Sequence, residues 1–174
     1  QYLNIMHDGK FSDELEIAEL GASLYEKKAD SFTENYVKDN NAKTAIPTPR
    51  DIYILKGTRT KEYRTKVIEA TMSVSDTLAV SRSYGTSLTI YLTAVLIHAI
   101  HSVMDVKNST RPINIHIPVN LRNFFYSKTS RNFFANMEIS FTFKTGNETL
   151  EDTIAYLNDA FVENLKEENA QLLL

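Results

Sequence analysis

The order of patterned segments in this chain predicts an α/β (α+β) fold, in which helices pack on a mixed sheet. Two segments, 112–120 and 136–143, alternate apolar and polar residues, as strands with one buried face do. Three further segments, 73–84, 86–104 and 149–165, repeat apolar residues at helical spacing. The full order is helix, two strands, two helices, two strands, helix, which is typical of a sheet covered by helices.

The first fifty residues predict an acidic helical lead-in and a linker. Ser12 precedes a run of acidic residues, as a helix N-cap does. Apolar residues then recur at helical spacing, with gaps, as far as Val37. Prolines and asparagines dominate the end of this stretch and predict an exposed linker. We therefore divide the chain into a lead-in and linker over 1–50 and a half-domain over 51–174.

The beginning of the half-domain predicts a β-hairpin. Residues 51–57 are predicted to form a short apolar strand that ends at Gly57, and residues 63–72 a second strand of weaker pattern. The charged segment between them has the composition of a turn. Both strands are expected to belong to the mixed sheet.

Two helices follow, and the second is expected to be central and buried. Ser73 or Ser75 can cap the first helix, and Thr86 or Ser87 can cap the second. Gly85 is a typical stop for the first helix. The second helix is apolar on nearly all sides, which is the pattern of a helix surrounded by protein.

Composition excludes several classes of function. The formal net charge is −3, which gives no basic surface for nucleic acid or for an anionic membrane. The chain has no cysteine, so disulfides, thiolate catalysis and cysteine zinc sites are ruled out. The most apolar run, 88–100, is shorter than the roughly 20 residues of a membrane span. No targeting segment is visible, and a cytoplasmic protein is expected.

One segment carries a resemblance to a known family. Residues 113–125 read INIHIPVNLRNFF, and residues 127–134 read SKTSRNFF. A strand that ends in PVNLRNFF before SKTSRNFF resembles the bacterial alcohol O-acetyltransferases. These belong, with chloramphenicol acetyltransferase and the condensation domains of peptide synthetases, to one superfamily of acyltransferases. The run YGTSLTIYLTA at 84–94 is similar to the buried helix of that family. The resemblance covers most of the chain after residue 13.

The resemblance implies that this chain is the C-terminal half of a chloramphenicol-acetyltransferase-like fold. The catalytic signature of the family, His-His-x-x-x-Asp-Gly, lies in a loop between two similar halves. Its second histidine deprotonates the acceptor, and its aspartate orients the loop through a salt bridge. Nothing in this chain matches the signature, and the motif would precede Gln1. An N-terminal portion is therefore expected to be missing, and this chain alone is expected to be inactive.

The implied function is transfer of an acetyl or acyl group from acyl-CoA to a small alcohol or amine. Acyl-CoA is the donor substrate, and no covalently bound cofactor and no metal are implied. The partner would be the missing N-terminal half of the fold. The alternative is a non-catalytic, condensation-like binding or docking module built on the same half-fold.

Arg122 is the main candidate residue. In the related acyltransferases an arginine of this half pairs with the aspartate of the catalytic motif, and Arg122 matches it by position in PVNLR. An arginine can hold a carboxylate bidentately in such a place. Asn120, Asn132 and Arg131 are weaker candidates for shaping the same crevice, and His116 for a substrate contact. Ordinary loop capping and surface exposure are the competing explanations.

The other histidines are expected to be structural. His101 and Asp105 match His-x-x-x-Asp, but they lie at the end of an apolar helix with no glycine following. Such a pair is ordinary on a helix, and the helix dipole favours His101 there. His98 is expected to be a core histidine with one satisfied nitrogen. His7 is followed directly by Asp-Gly and lacks the three residues that separate histidine from aspartate in the family signature. No serine-hydrolase elbow, zinc-binding His-Glu-x-x-His or phosphate-binding glycine loop occurs.

A half-domain separated from its twin leaves an apolar face uncovered. Association of the isolated chain, for example as a homodimer, is therefore expected. The aromatic residues expected on that face are Phe124, Phe125, Phe133 and Phe134.

Overall fold

The structure is a computed structural model, which describes residues 21–37, 51–57, 60, 67, 69–166, 169, 171 and 174. Within these residues, helices and two strands give a broadly α+β architecture. The elements in chain order are α1 (Leu24–Lys28), α2 (Ser31–Asn35), α3 (Val74–Ser83), α4 (Leu88–Ser102), β1 (Ile113–Asn120), a 3-10 turn (Leu121–Asn123), β2 (Phe134–Phe141) and α5 (Leu150–Asn164).

The two strands form an antiparallel pair. The register sets Ile113 opposite Phe141 and Ile117 opposite Met137. All four of these side chains are buried. Successive residues of a strand point to opposite faces, so His116 and its partner Glu138 lie on the other, exposed face. The alternation predicted from the sequence is confirmed for both strands.

The core lies between the apolar face of this pair and two helices. From α4 it takes Ile90, Ala94 and Ile97, and from α5 it takes Ile154 and Leu157. Helix α5 packs against both α4 and β2. Burial of an isoleucine or leucine side chain stabilises the fold by about 1.5–3 kcal/mol. This core therefore holds the strand pair against α4 and α5.

The predicted helix boundaries are confirmed where the structure describes them. The Ser73 and Ser87 side chains cap α3 and α4 by accepting backbone N–H bonds. Thr149 caps α5 with a reciprocal bond from its backbone N–H to the Asp152 carboxylate. Gly85 ends the turn after α3 at a φ of +65°, which favours glycine.

The predicted first hairpin is not observed. Residues 51–57 form no strand, although the Tyr53 N–H donates to the Pro112 carbonyl at 2.8 Å. Because Pro112 has no N–H, it cannot donate a second hydrogen bond back to Tyr53, as strand pairing would require. Of the expected second strand, 63–72, half lies outside the described residues, and 67 and 69–72 are not strand. The sheet among the described residues is thus a two-stranded antiparallel pair, and a mixed sheet is not seen.

Helix α4 is not buried on all sides, contrary to the sequence expectation. Leu92, Val95 and Leu96 are 41%, 39% and 49% exposed, because the described elements pack on only one side of the helix. No described helix is long and apolar enough to cross a membrane by itself; α3 and α4 pass that test only together, with a bend of 83° between them.

The described part of the lead-in is shorter and less regular than one long helix. Residues 21–37 hold the two five-residue helices α1 and α2. They pack on the loop between β1 and β2. The predicted helix start at Ser12, the linker over 39–50 and the boundary at residue 50 lie outside the described residues.

Candidate functional site

The main candidate residue lies in the loop that follows β1. Asn120 ends the strand, and its side-chain Oδ1 accepts the Arg122 N–H at 3.2 Å. This bond caps the 3-10 turn, in which Leu121 is fully buried. Asparagine is a good cap because its short side chain reaches the backbone two residues on. The capping role of Asn120 fixes the backbone at Arg122.

The Arg122 guanidinium is held by the far side of the same loop. Its Nη2 donates to the Thr129 carbonyl at 2.8 Å and to the Arg131 carbonyl at 2.9 Å. Its Cζ lies 6.0 Å from the centre of the Phe133 ring, within the range of a cation–π contact. Phe133 is itself 1% exposed. The charge is thus held in place at an exposed strand end.

These bonds determine which N–H donors of Arg122 remain available to an anion. A guanidinium has five N–H donors in a rigid plane, and each of its bidentate forks includes Nη2. Two carbonyls occupy Nη2 here. A carboxylate would therefore meet Nη1 or Nε by a single bond, unless a carbonyl leaves. No carboxylate among the described residues forms a salt bridge with Arg122.

The weaker candidates separate into two places. Arg131 and Asn132 are exposed on the same loop as Arg122, and the Arg131 N–H donates to the Thr129 hydroxyl at 3.2 Å. His116 lies elsewhere, since it precedes the strand end by roughly 13 Å along the strand. Its Nδ1 is 3.6 Å from the Glu138 carboxylate across the strand pair. The structure brings together the loop candidates and leaves His116 apart.

The α4 histidines flank a buried phenylalanine. His98 Nε2 is 2.9 Å from the Thr153 hydroxyl, and the ring meets Phe143 edge-on at 5.1 Å. His101 stacks on Phe143 at 3.7 Å, and its Nε2 is buried without a hydrogen-bond partner among the described residues. The expected pair of His101 with Asp105 is not formed, because α4 ends at Ser102 and Asp105 instead bonds Asn108. His7 lies outside the described residues.

The aromatic residues expected on an uncovered face have different environments. Phe133 is buried, 1% exposed, and meets Phe32 edge-on at 5.1 Å. Phe124 and Phe125 are partly buried, whereas Phe134 is 47% exposed. Phe133 is thus covered by this chain itself, and the expectation fails for it, while Phe124 and Phe125 are covered in part. Helix α2, which supplies Phe32, is the cover that the sequence pattern did not reveal.

A contact between the lead-in and the loop was missed by the sequence analysis. The Ser130 N–H donates to the Lys27 carbonyl at 2.9 Å, and the Thr129 hydroxyl donates to the Ala29 carbonyl at 2.7 Å. Lys128 Nζ is 3.1 Å from a Glu26 carboxylate oxygen. We call these contacts the clasp, formed by residues 26–32 and 127–133. The polar residues of the clasp have the composition of an ordinary loop, so the sequence provided no indication of these contacts.

A shallow cavity of about 80 Å³ lies at the clasp, between Tyr25, Glu26, Ser31, Ser127 and Lys128. The Ser23 backbone N–H and the Lys128 ammonium lower the pKa of Glu26 to about 2. Glu26 in turn raises the pKa of Lys128. The cavity has room for a few waters, since one water occupies about 30 Å³ of liquid. It is far too small for an acyl-CoA.

No protein family, curated protein or solved structure matches this chain. Among the described residues, no three histidine or acidic side chains are grouped as metal ligands would be. The geometry of the loop is therefore the structural observation that bears on function.

Proposed function

We propose that this chain is the C-terminal half of an acyl-CoA-dependent acyltransferase that acts on an alcohol or amine and takes its general base from outside this chain. The observation that carries the proposal is the state of Arg122. Its guanidinium is permanently charged and held at the exposed end of β1 by two carbonyls. Its Nη1 and Nε have no acceptor among the described residues. A charge held in this way is suited to meet a carboxylate of another segment.

In the proposed reaction, a histidine outside this chain removes the proton of the acceptor hydroxyl or amine. The acceptor oxygen or nitrogen attacks the thioester carbonyl of acyl-CoA, so that a new C–O or C–N bond forms and the C–S bond breaks. The CoA thiolate leaves and takes the proton from the histidine. Arg122 contributes by holding the aspartate of the histidine loop, so its role is positioning and not proton transfer.

The test uses the full-length protein that contains this chain, with acetyl-CoA and a panel of short alcohols and amines. Arg122→Ala is expected to lower kcat by on the order of a hundredfold, because a displaced base reacts poorly. KM should change little, since positioning is not uniform binding. Arg122→Lys should rescue poorly, because an ammonium cannot bond both carbonyls and an anion with the same planar geometry.

Arg131→Ala is the matched control, since that side chain is exposed on the same loop while its carbonyl, which accepts from Arg122, is unaffected. It should retain most of the activity. Equal losses in Arg122→Ala and Arg131→Ala would contradict the positioning role. Absence of any CoA release by the full-length protein, with every acceptor, would contradict the function itself.

A non-catalytic docking module is the second candidate, and one observation favours it. Helix α4 exposes Leu92, Val95 and Leu96, a surface that suits a protein partner better than a small substrate. Such a module would neither bind acetyl-CoA nor release CoA in the full-length protein. Calorimetric titration of that protein with acetyl-CoA separates the two candidates, since only the acyltransferase requires this donor.

A further inference from the structure

Thr129 connects the lead-in to both acceptors of the Arg122 guanidinium. Its side-chain hydroxyl donates to the Ala29 carbonyl at 2.7 Å, and its own carbonyl accepts from Arg122 Nη2 at 2.8 Å. The same hydroxyl accepts the Arg131 N–H at 3.2 Å. The Arg131 carbonyl is the second acceptor for Nη2. Thr129 therefore contacts both acceptor sites: its own carbonyl is one acceptor, and its hydroxyl bonds the N–H of the residue that supplies the other.

Thr129 is also enclosed by the clasp. It is 6% exposed, and Ser31, which also belongs to the clasp, is 3% exposed. The Ser31 and Ser127 hydroxyls are 2.6 Å apart, and the Ser130 N–H donates to Lys27. Buried polar groups are costly to leave without partners. The Ser130 N–H and the Thr129 carbonyl also belong to one planar peptide group, which therefore joins the Lys27 carbonyl to Arg122.

We infer that Thr129 is a positioning residue through which the clasp sets the direction of the Arg122 guanidinium. With the clasp closed, two carbonyls occupy Nη2, and Arg122 offers an anion only single bonds. With the clasp open, the Thr129 and Arg131 carbonyls turn away and Nη2 is released. Both bidentate forks of the guanidinium then become available. The lead-in thereby controls how strongly Arg122 binds a carboxylate or another oxyanion.

A role of Arg122 in acyl transfer rests on the proposed function. The control of Arg122 by the clasp is independent of that function. The test therefore measures Arg122 directly in this chain, by phenylglyoxal modification and peptide mass spectrometry. Thr129→Val keeps the shape of the side chain and removes the hydroxyl. It should make Arg122 react roughly fivefold faster, the change expected for one lost hydrogen bond. Arg82, exposed at the end of α3, should react at the same rate in both proteins.

Thr129→Ser restores the hydroxyl and should return the Arg122 rate to that of the wild type. Thr110→Val is the matched control, because Thr110 is an exposed threonine in the turn before β1. It should leave the Arg122 rate unchanged. An unchanged Arg122 rate in folded Thr129→Val would overturn the inference. The inference would also be overturned if Arg122 reacted faster in Thr129→Ser as well as in Thr129→Val.

A second measurement uses the wild-type chain and needs no variant. Amide exchange of Ser130, whose N–H bonds the Lys27 carbonyl, is followed in rising urea together with Arg122 modification. The Ser130 amide and the Arg122 guanidinium should lose their protection at the same urea concentration. This concentration should be lower than the one at which the amide of Ile115 in β1 exchanges. Persistent Arg122 protection after Ser130 has opened would overturn the inference. A positive result with no CoA release by the full-length protein would leave the inference standing and remove the proposed function.

Discussion

At the scale of single residues, Phe143 explains why two histidines lie in an apolar helix. His98 meets the Phe143 ring edge-on and His101 stacks on it. Ring contacts of this kind add about 0.5–1.5 kcal/mol beyond burial. The two imidazoles thus complete the packing around a phenylalanine that is 2% exposed. This arrangement accounts for both residues without a catalytic role.

We predict that His101→Ala lowers the free energy of unfolding by roughly 1–3 kcal/mol, because it removes the stacked ring. His101→Phe should cost less, since it keeps the ring and removes a buried nitrogen that has no partner among the described residues. Urea denaturation followed by circular dichroism measures both. The isolated chain should release no CoA from acetyl-CoA. If the isolated chain did release CoA and His101→Ala abolished that activity, His101 would be the general base and the prediction would be wrong.

Glu148 is a second residue whose environment has a measurable consequence. Backbone N–H groups of Thr145 and Lys144 donate to its carboxylate at 2.9 and 2.8 Å. Bonds to the charged form, that from Thr145 foremost, lower the pKa of Glu148 to about 2. The folded pKa is below the unfolded one, near 4.5, so the contribution to stability is present above pH 4.5 and is lost as the pH falls toward 2.

We therefore predict that Glu148→Gln flattens the loss of stability between about pH 4.5 and pH 2. At neutral pH the variant should be somewhat less stable, because a neutral amide oxygen is a weaker acceptor than a carboxylate. Urea midpoints across this pH range measure the effect. Glu151→Gln is the control, since it removes a neighbouring carboxylate and leaves both amide bonds in place. Parallel curves for wild type and Glu148→Gln would contradict the prediction.

At the scale of elements, the junction of α3 and α4 determines where the core helix begins. Gly85 turns the chain at a φ of +65°, and the Ser87 side chain caps α4. The Thr86 hydroxyl donates to the Asn158 side chain of α5 at 2.9 Å. The turn therefore determines both the start of α4 and its placement against α5.

We predict that Gly85→Ala destabilises the fold by about 1–2 kcal/mol, the cost of a left-handed conformation for an L-residue with a Cβ. A Cβ at Gly85 would meet nothing within 4 Å, so the cost is strain and not a clash. Gly85→Asn should cost less, because asparagine tolerates this region. Gly57→Ala is the matched control, since that site is equally open and has no positive φ. Equal urea midpoints for Gly85→Ala and Gly57→Ala would refute the argument.

At the scale of the whole molecule, the described residues cover only one side of α4. Leu92 and Leu96 of α4 and its C-cap residue Val103 lie at helical spacing and are 41%, 49% and 64% exposed. Scattered exposed apolar residues are ordinary, but a continuous stripe on one helix favours association. Among the described residues this stripe is an apolar surface on a helix of the core, whereas Phe133 of the 124–134 segment is covered.

We predict that the isolated chain self-associates and that Leu96→Glu reduces the association constant about tenfold or more, because a buried unpaired charge is costly at an interface. Sedimentation velocity over a range of concentrations measures it. Phe134→Glu is the comparison, since Phe134 is similarly exposed but lies away from α4 in the sheet. It should change association less. A monomeric wild-type chain at high concentration would contradict the prediction.

The sequence by itself determined the local structure where the pattern was periodic and capped. The strands β1 and β2, the helices α3 to α5 and the start of α5 at Thr149 follow from residues near in sequence. For α3 and α4 the sequence offered two possible caps each, and the structure uses Ser73 and Ser87. Their signals are short-range, because period and capping involve neighbours within about four residues. The sequence also placed Arg122 at a strand end beside aromatic residues.

Only the tertiary structure decided what surrounds those elements. It left residues 51–57 without a strand, exposed one side of α4, and buried Phe133 under α2. It also joined Thr129 to the lead-in through the Ala29 carbonyl, 100 positions away. No local pattern encodes such a contact, because backbone carbonyls are the same at every residue. Which carbonyls hold Arg122, and hence which of its donors stay free, depends on how distant segments pack.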